Sequence, residues 1–320
     1  MQPLHIKTPL LESHPLSKIV GCPVYLKLEN IQPVSSFKLR GLGHLCQKAV
    51  QNGCKHIVCS SGGNAGLAAA YSARKLNVPC TIIVPSTTPA FMVKRLEEEK
   101  AKVIVHGDVW NDADALAQEL CKDPEYTYIP PFDHPDIWEG VASLVHEAVE
   151  DLQGTKPSVV AVCVGGGGLL CGILQGLHDV GWQDVPVVAM ETEGANCLNA
   201  SLNENRIVKL DGITSIAKCL GSTQVARRAF QWTKEHNIIS DLCTDVDALN
   251  ACLRFADDHR MLVEPGCGAT LASVYNNMYD KWSKEGKLNS DIKSILVVVC
   301  GGNMVSLEQL QIWKKQLGMS

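Results

Sequence analysis

Apolar residues along this chain fall into two alternating patterns. Short runs of Val, Ile, Leu and Cys recur at 24–29 (VYLKLE), 56–61 (HIVCSS), 80–85 (CTIIVP), 102–106 (KVIVH), 159–164 (VVAVCV), 185–191 (VPVVAME) and 294–300 (SILVVVC). Several lack the apolar/polar alternation of a half-exposed strand, which predicts strands buried on both faces. Between them, patterns predicting helices occupy 64–77, 87–101, 135–153, 168–180, 223–236, 245–258 and 268–285. Thr87-Thr88-Pro89 reads as a helix start. Strand and helix alternate almost throughout, which predicts an α/β fold with parallel sheets and right-handed crossovers.

No repeat, low-complexity segment or long linker interrupts the pattern. A block of about four strands is expected at 35–135, closing with the Pro- and aromatic-rich 128–140 (YIPPFDHPDIWEG). Residues 1–34 are expected to pack with 136–320. The predicted fold is therefore two domains, each an open, twisted, mostly parallel sheet flanked by helices: a small one (35–135) and a large one (1–34 plus 136–320).

Composition narrows the classes. The chain has 320 residues, 46% of them hydrophobic, which is enough for full cores. Its net charge of −5 and lack of a basic stripe argue against a nucleic-acid partner. No apolar run reaches the ~18 residues that span a bilayer, and residues 1–15 carry no signal-peptide pattern, so a soluble, cytoplasmic protein is expected. There are 14 cysteines. None forms C-x-x-C or a zinc-like pairing with His, and many lie inside apolar runs. Reduced, buried thiols are expected, with Cys300 as an exception.

Three strand ends carry unusual chemistry. Cys163–Gly172 (CVGGGGLLCG) sets Gly165, Gly166, Gly167 and Gly168 between a buried strand and a helix. Glycine lets backbone N–H groups approach an anion, and a helix N-terminus adds positive dipole, so this reads as a phosphate cradle. Glu191 ends the next strand, as in a dinucleotide fold, but the glycines do not satisfy G-x-G-x-x-G: Leu170 and Cys171 fall where the third glycine belongs. No G-x-x-x-x-G-K-[ST] occurs either. A small monophosphate suits the spacing better. Cys59–Gly66 (CSSGGNAG) is a second strand-to-helix junction. There Ser60, Ser61, Gly62 and Gly63 can hold a carboxylate, and Asn64 either caps the helix or bonds a ligand. Val297–Asn303 (VVVCGGN) is the third, with room for a planar ring beside Cys300. Lys38, in PVSSFKLRG (33–41), stands at a helix start, against the dipole. A lysine that condenses with a phosphorylated aldehyde accounts for all four features.

These motifs together resemble the fold-type II pyridoxal-phosphate enzymes, the tryptophan synthase β-like fold, over nearly the whole chain. SFKLRG (36–41), SGGNAG (61–66), GGGG (165–168), LVEPGCGA (262–269) and CGGN (300–303) are closest to the serine dehydratase/threonine deaminase branch. The resemblance implies Lys38 as the Schiff-base lysine and α-proton base, with Phe37 against the cofactor ring. It implies Asn64 on the phenolic oxygen, and Ser61, Gly62, Gly63 and Asn64 around the substrate carboxylate. Gly165, Gly166, Gly167, Gly168 and Leu169 would bind the phosphate, and Cys300 would face the ring nitrogen. It also implies a monovalent cation, commonly potassium, on the Glu191 carboxylate and the carbonyls near Ala195, Cys197, Leu220 and Ser222. The Glu191 side chain as a plain surface acid is the other reading.

The activity implied is β-elimination: L-serine to pyruvate and ammonia, L-threonine to 2-oxobutanoate and ammonia, in amino-acid catabolism and gluconeogenesis, by a homodimer. Alternatives are a racemase-like enzyme or a serine dehydratase-like protein that binds cofactor with little turnover. Two departures stand out. Ser35 replaces the family's usual glycine, and Gly62 lacks the serine that racemases use opposite the lysine. The sequence closes with 306–320 (SLEQLQIWKKQLGMS), so a regulatory domain and feedback inhibition by isoleucine are not expected.

Overall fold

The structure is a computed structural model and describes residues 1–319. In chain order the strands are β1 (Leu10–Glu12), β2 (Val24–Leu28), β3 (His56–Cys59), β4 (Cys80–Val84), β5 (Lys102–Val105), β6 (Tyr126–Tyr128), β7 (Val159–Cys163), β8 (Val187–Thr192), β9 (Ile238–Cys243) and β10 (Ile295–Val299). They form two sheets in two compact units. The first unit comprises Met1–Ile6 and Gln32–Val141; the second comprises Lys7–Ile31 and the chain from Ala142 on. Residues 32–34 and 136–141 thus belong to the first unit rather than to the later block with which they were expected to pack, and so do residues 1–6. The cause is polar: Ile6 exchanges two 3.0 Å hydrogen bonds with the Gln32 side chain, and Gln47 donates to the Gln2 carbonyl at 2.7 Å.

The first unit holds an all-parallel sheet of order β5-β4-β3-β6. Every residue of β4 is buried, as its unbroken apolar run predicts. On one face, Val58 and Ile83 pack on Ala113 and Ala117 of the helix Trp110–Leu120. The helix Asn64–Leu76 is alanine-rich along its buried stretch: Ala68, Ala69, Ala70 and Ala73 are fully enclosed. The helix Lys38–Gln51 meets the start of the helix Pro135–Asp151 through two glycines. A Cβ on Gly41 would lie 2.6 Å from Ile137 Cγ2, and one on Gly140 would lie 2.4 Å from the Arg40 carbonyl. That close approach seats the helix that begins at Lys38.

The second unit holds a six-stranded sheet of order β1-β2-β10-β7-β8-β9, parallel except for β1 against β2. β7, β8 and β10 are buried along their whole length. The helix Pro265–Tyr275 is also buried at every position, consistent with its apolar character on all sides. Burying each large aliphatic side chain here contributes about 1.5–3 kcal/mol.

The predicted strands and helices form, with one break and with three strands and four helices added, the helices being His14–Val20, Trp110–Leu120, Cys197–Asn203 and Leu307–Gln316. β1, β6 and β9 were not anticipated; all are sheet edges, where burial is partial and the apolar run is diluted. The single helix predicted over 268–285 is two, Pro265–Tyr275 and Met278–Lys284, separated at Asn277 with φ +47°. The helix after Thr87-Thr88-Pro89 begins at Ala90, with Pro89 rather than a threonine as its cap. All 14 cysteines are free thiols and ten are buried. No helix is long and apolar enough to cross a membrane among the described residues.

Candidate active site

In the first unit the loops after β3, β4 and β6 emerge at the same edge, because parallel neighbours end together. Ligands of open α/β sheets bind at such carboxyl edges. Lys38 is the first residue of its helix, and its Nζ donates to the Pro131 carbonyl at 2.7 Å, in the loop after β6. The rings of Phe37 and Phe132 lie 5.3 and 5.9 Å from that nitrogen. Ser36 Oγ beside it is buried with no hydrogen-bond partner among the described residues. Ser35 has φ +56°, the left-handed region, which is why a glycine suits this turn.

The loop after β3 is held by backbone packing. A Cβ on Gly66 would fall 1.7 Å from the Ser61 carbonyl oxygen, so only glycine lets the loop fold onto its helix. Ser61 Oγ accepts from Gly63 N–H at 3.3 Å. Gly63 is the N-cap and Asn64 the first helical residue, so the capping role considered for Asn64 does not hold. The first N–H groups of this helix lack intrahelical partners and carry its positive dipole end, which suits a carboxylate. Ser60, just before, is fully buried and bonds Asp114 Oδ1 at 2.5 Å, which also accepts from Tyr128 Oη at 2.5 Å. Burial pushes the Cys59 thiol up to about 12, so it is inert.

The second unit carries the glycine tetrad and the Glu191 group. Gly167 has φ +93° and caps the helix Gly168–Asp179. A Cβ there would lie 2.6 Å from Ala229 Cβ, and one on Gly165 would lie 3.0 Å from Leu220 Cα. Ala226 N–H bonds the Gly166 carbonyl at 2.9 Å. The bare backbone runs between two packed segments and leads its N–H groups, through Leu169, into a helix N-terminus.

Cys300 follows β10, and its Sγ lies 3.4 Å from Cys163 Sγ and 3.1 Å from Cys267 Sγ. Hydrogen bonding to Cys163 and Cys267, then burial, raises its pKa well above the usual thiol range, so it is a neutral thiol. Glu191 is fully buried, which removes the surface-acid reading. Its carboxylate accepts from Leu198 N–H at 2.9 Å and Asn199 N–H at 2.7 Å, capping the helix Cys197–Asn203. Burial raises its pKa to about 8 against those two bonds.

The structure therefore gathers Phe37, Lys38, Ser61, Gly62, Gly63 and Asn64 in the first unit. Gly165–Leu169, Cys300, Glu191, Ala195, Cys197, Leu220 and Ser222 belong to the second. Sequence reasoning missed Pro131 and Phe132, because the strand that leads into their loop, β6, was not recognised, and Cys163 and Cys267, which read as ordinary core thiols.

The family model described as pyridoxal-phosphate dependent enzyme matches residues 1–301. The chain belongs to the pyridoxal-phosphate dependent enzymes. Among them, a serine dehydratase-like protein of Mus musculus is 53% identical over 319 residues, covering 100% of this chain and 97% of the relative. The L-serine dehydratase/L-threonine deaminase of Homo sapiens is 51% identical over 320 residues, with coverage of 100% and 97%. A solved L-serine ammonia-lyase from the fungus Rhizomucor miehei matches with a TM-score of 0.91 at 36% identity, over 98% of this chain and 99% of that one.

Pyridoxal phosphate makes three demands: an amine for its aldehyde, amide donors for a monophosphate, and a neighbour for its ring nitrogen. The residues fit. Lys38 supplies the amine at a carboxyl edge, and the tetrad supplies a cradle whose space a side chain would fill. Cys300 supplies a neutral thiol rather than a carboxylate.

Proposed function

We propose that this pyridoxal-phosphate dependent enzyme is an ammonia-lyase that converts L-serine to pyruvate and ammonia and L-threonine to 2-oxobutanoate and ammonia. The observation that carries the reading is a lysine at a helix start whose Nζ is held by the Pro131 carbonyl, in the same unit as a glycine-rich loop of amide donors at a strand end. Full-length relatives named for these substrates support the substrate class.

The cofactor, when bound, supplies an aldehyde that condenses with amines and a ring that accepts the electron pair left by a departing α-proton. Lys38 would hold it, and once displaced by the substrate amine, its neutral Nζ would take that α-proton. Ser61, Gly62, Gly63 and Asn64 would hold the substrate carboxylate, fixing which bond faces Lys38. Asn64 would also bond the cofactor's phenolic oxygen, and Phe37 would flank its ring. Gly165, Gly166, Gly167, Gly168 and Leu169 would bind its phosphate. The Cys300 thiol, kept neutral by Cys163 and Cys267, would leave the ring nitrogen unprotonated, which favours loss of the β-hydroxyl over transamination. The proton and the hydroxyl leave as water; hydrolysis of the unsaturated amine then returns water and releases ammonia. A racemase needs a second proton donor, and Gly62 offers no side chain for that.

Glu191 with the carbonyls of Ala195, Cys197, Leu220 and Ser222 is a hard-oxygen donor set, suited to a monovalent cation such as potassium. We further propose a cytoplasmic homodimer working in amino-acid catabolism that feeds gluconeogenesis. The test is pyruvate release from L-serine beside Lys38→Ala. The wild type should show a visible cofactor band and turnover, and the variant should lose both. A variant that keeps both would refute the assignment of Lys38.

A further inference from the structure

We propose that Thr88, in the loop after β4, is a substrate-binding residue: its hydroxyl donates to the substrate carboxylate beside Gly62. This rests on the ammonia-lyase reading above and deepens it.

The sheet order places β3 between β4 and β6. The loop carrying Ser61, Gly62 and Gly63 therefore emerges between two neighbours. On the β6 side, Pro131 holds Lys38 Nζ at 2.7 Å. On the β4 side lies Thr88. A Cβ on Gly62 would meet Thr88 Cγ2 at 2.7 Å and Thr88 Oγ1 at 2.8 Å. The threonine side chain thus occupies the space that a side chain at position 62 would use. Outside the two adjoining residues, the three atoms nearest that Cβ all belong to Thr88.

Thr88 is set in place by the chain around it. Its N–H bonds the Pro85 carbonyl at 3.0 Å, closing a turn, and the Pro89 that follows restricts its backbone. It is only partly buried, as a group reaching a substrate must be. A hydroxyl against Gly62 adds a side-chain donor to a loop that otherwise offers amides and Ser61. Hydrogen bonds to a charged acceptor are the stronger kind.

The geometry also couples positions 62 and 88. Gly62→Ala cannot be accommodated unless Thr88 turns away, so an alanine there should mimic the loss of the threonine hydroxyl.

The experiment uses the holoenzyme and four variants: Thr88→Val, Thr88→Ser, Gly62→Ala and Gly62→Ala/Thr88→Val. Steady-state kinetics with L-serine are read alongside calorimetric binding of 3-hydroxypropanoate, which has the carboxylate and β-hydroxyl of serine but no amine. Thr88→Val should raise KM roughly tenfold or more, the scale of one charged hydrogen bond, with a smaller change in kcat. It should weaken 3-hydroxypropanoate to the same extent. Thr88→Ser should restore most of both, because it keeps the hydroxyl. Gly62→Ala should resemble Thr88→Val, and the double variant should be little worse than either single. Thr88→Val within twofold of wild type in both readouts overturns the proposal. So does a serine variant as impaired as valine, or fully multiplicative losses in the double variant. A wild-type protein that makes no pyruvate would instead overturn the ammonia-lyase reading itself.

Discussion

The glycine tetrad offers the sharpest test of how backbone geometry would build the proposed phosphate cradle. Gly167→Ala imposes two separate penalties. The residue sits at φ +93°, and holding an L-residue in left-handed space costs about 1–2 kcal/mol. Its Cβ would also lie 2.6 Å from Ala229 Cβ, against an optimal carbon–carbon separation of roughly 3.5–4.0 Å. Overpacking of that kind costs about 1–3 kcal/mol. The single substitution should therefore destabilise the second unit by about 2–5 kcal/mol and weaken cofactor binding in parallel.

The two penalties can be separated. Ala229→Gly removes the opposing methyl but leaves the dihedral. Alone, in the helix Arg227–Glu235, it should cost about 1 kcal/mol of helix propensity. Combined with Gly167→Ala, it should recover the packing share, giving a coupling of about 1–3 kcal/mol, well outside the ~0.5 kcal/mol scatter of independent sites. Urea denaturation of the cofactor-free protein, followed by circular dichroism and tryptophan fluorescence, measures the cycle. Pyridoxal phosphate titration reads the cradle directly. Strict additivity, or a Gly167→Ala cost below about 1 kcal/mol, would refute the reasoning that Ala229 closes the back of this turn.

Two further outcomes follow from single positions. Ser35→Gly relieves a left-handed serine at about 1–2 kcal/mol and adds about 0.5–1 kcal/mol of unfolded-chain entropy, so it should raise stability by roughly 0.5–1 kcal/mol in the same melts. Ser35→Ala, which keeps the Cβ, should gain nothing. His236 gives a pH signature. Burial, opposed by its 2.7 Å bond to the Val185 carbonyl, lowers its pKa below the usual 6.5, so the folded state holds it neutral. The unfolded chain then binds more protons as pH falls through about 6.5, and stability drops toward the lower folded value, with a slope of at most ~1.4 kcal/mol per pH unit from this group. His236→Gln should flatten stability between pH 7 and 5 relative to wild type; an unchanged slope would remove His236 from the account.

The candidate site is more legible in the sequence than the sheet edges are, and the reason is physical. Lys38, the 61–66 loop and 165–168 were legible because glycine clusters at strand ends answer to steric demands. The structure locates those demands at the Ser61 carbonyl for Gly66, Ala229 for Gly167 and Leu220 for Gly165. β4, β7 and β10 were legible because burial on both faces leaves an unbroken apolar run. β6 carries Tyr126, Thr127 and Tyr128, each half-buried, and that pattern matches a loop as well as a strand. Missing it hid Pro131 and Phe132, the neighbours of the lysine. Thr88 was hidden differently. Its triplet reads as a helix start, and nothing local distinguishes a capping threonine from one that turns toward a glycine more than twenty positions earlier. The contact exists only because β3 and β4 are paired in parallel, with Cys59 beside Ile82. Residues that act through the order of strands in a sheet leave no local signature, whereas residues that act through their own backbone do. The glycines of this site belong to the second kind, and the side chains that complete it to the first.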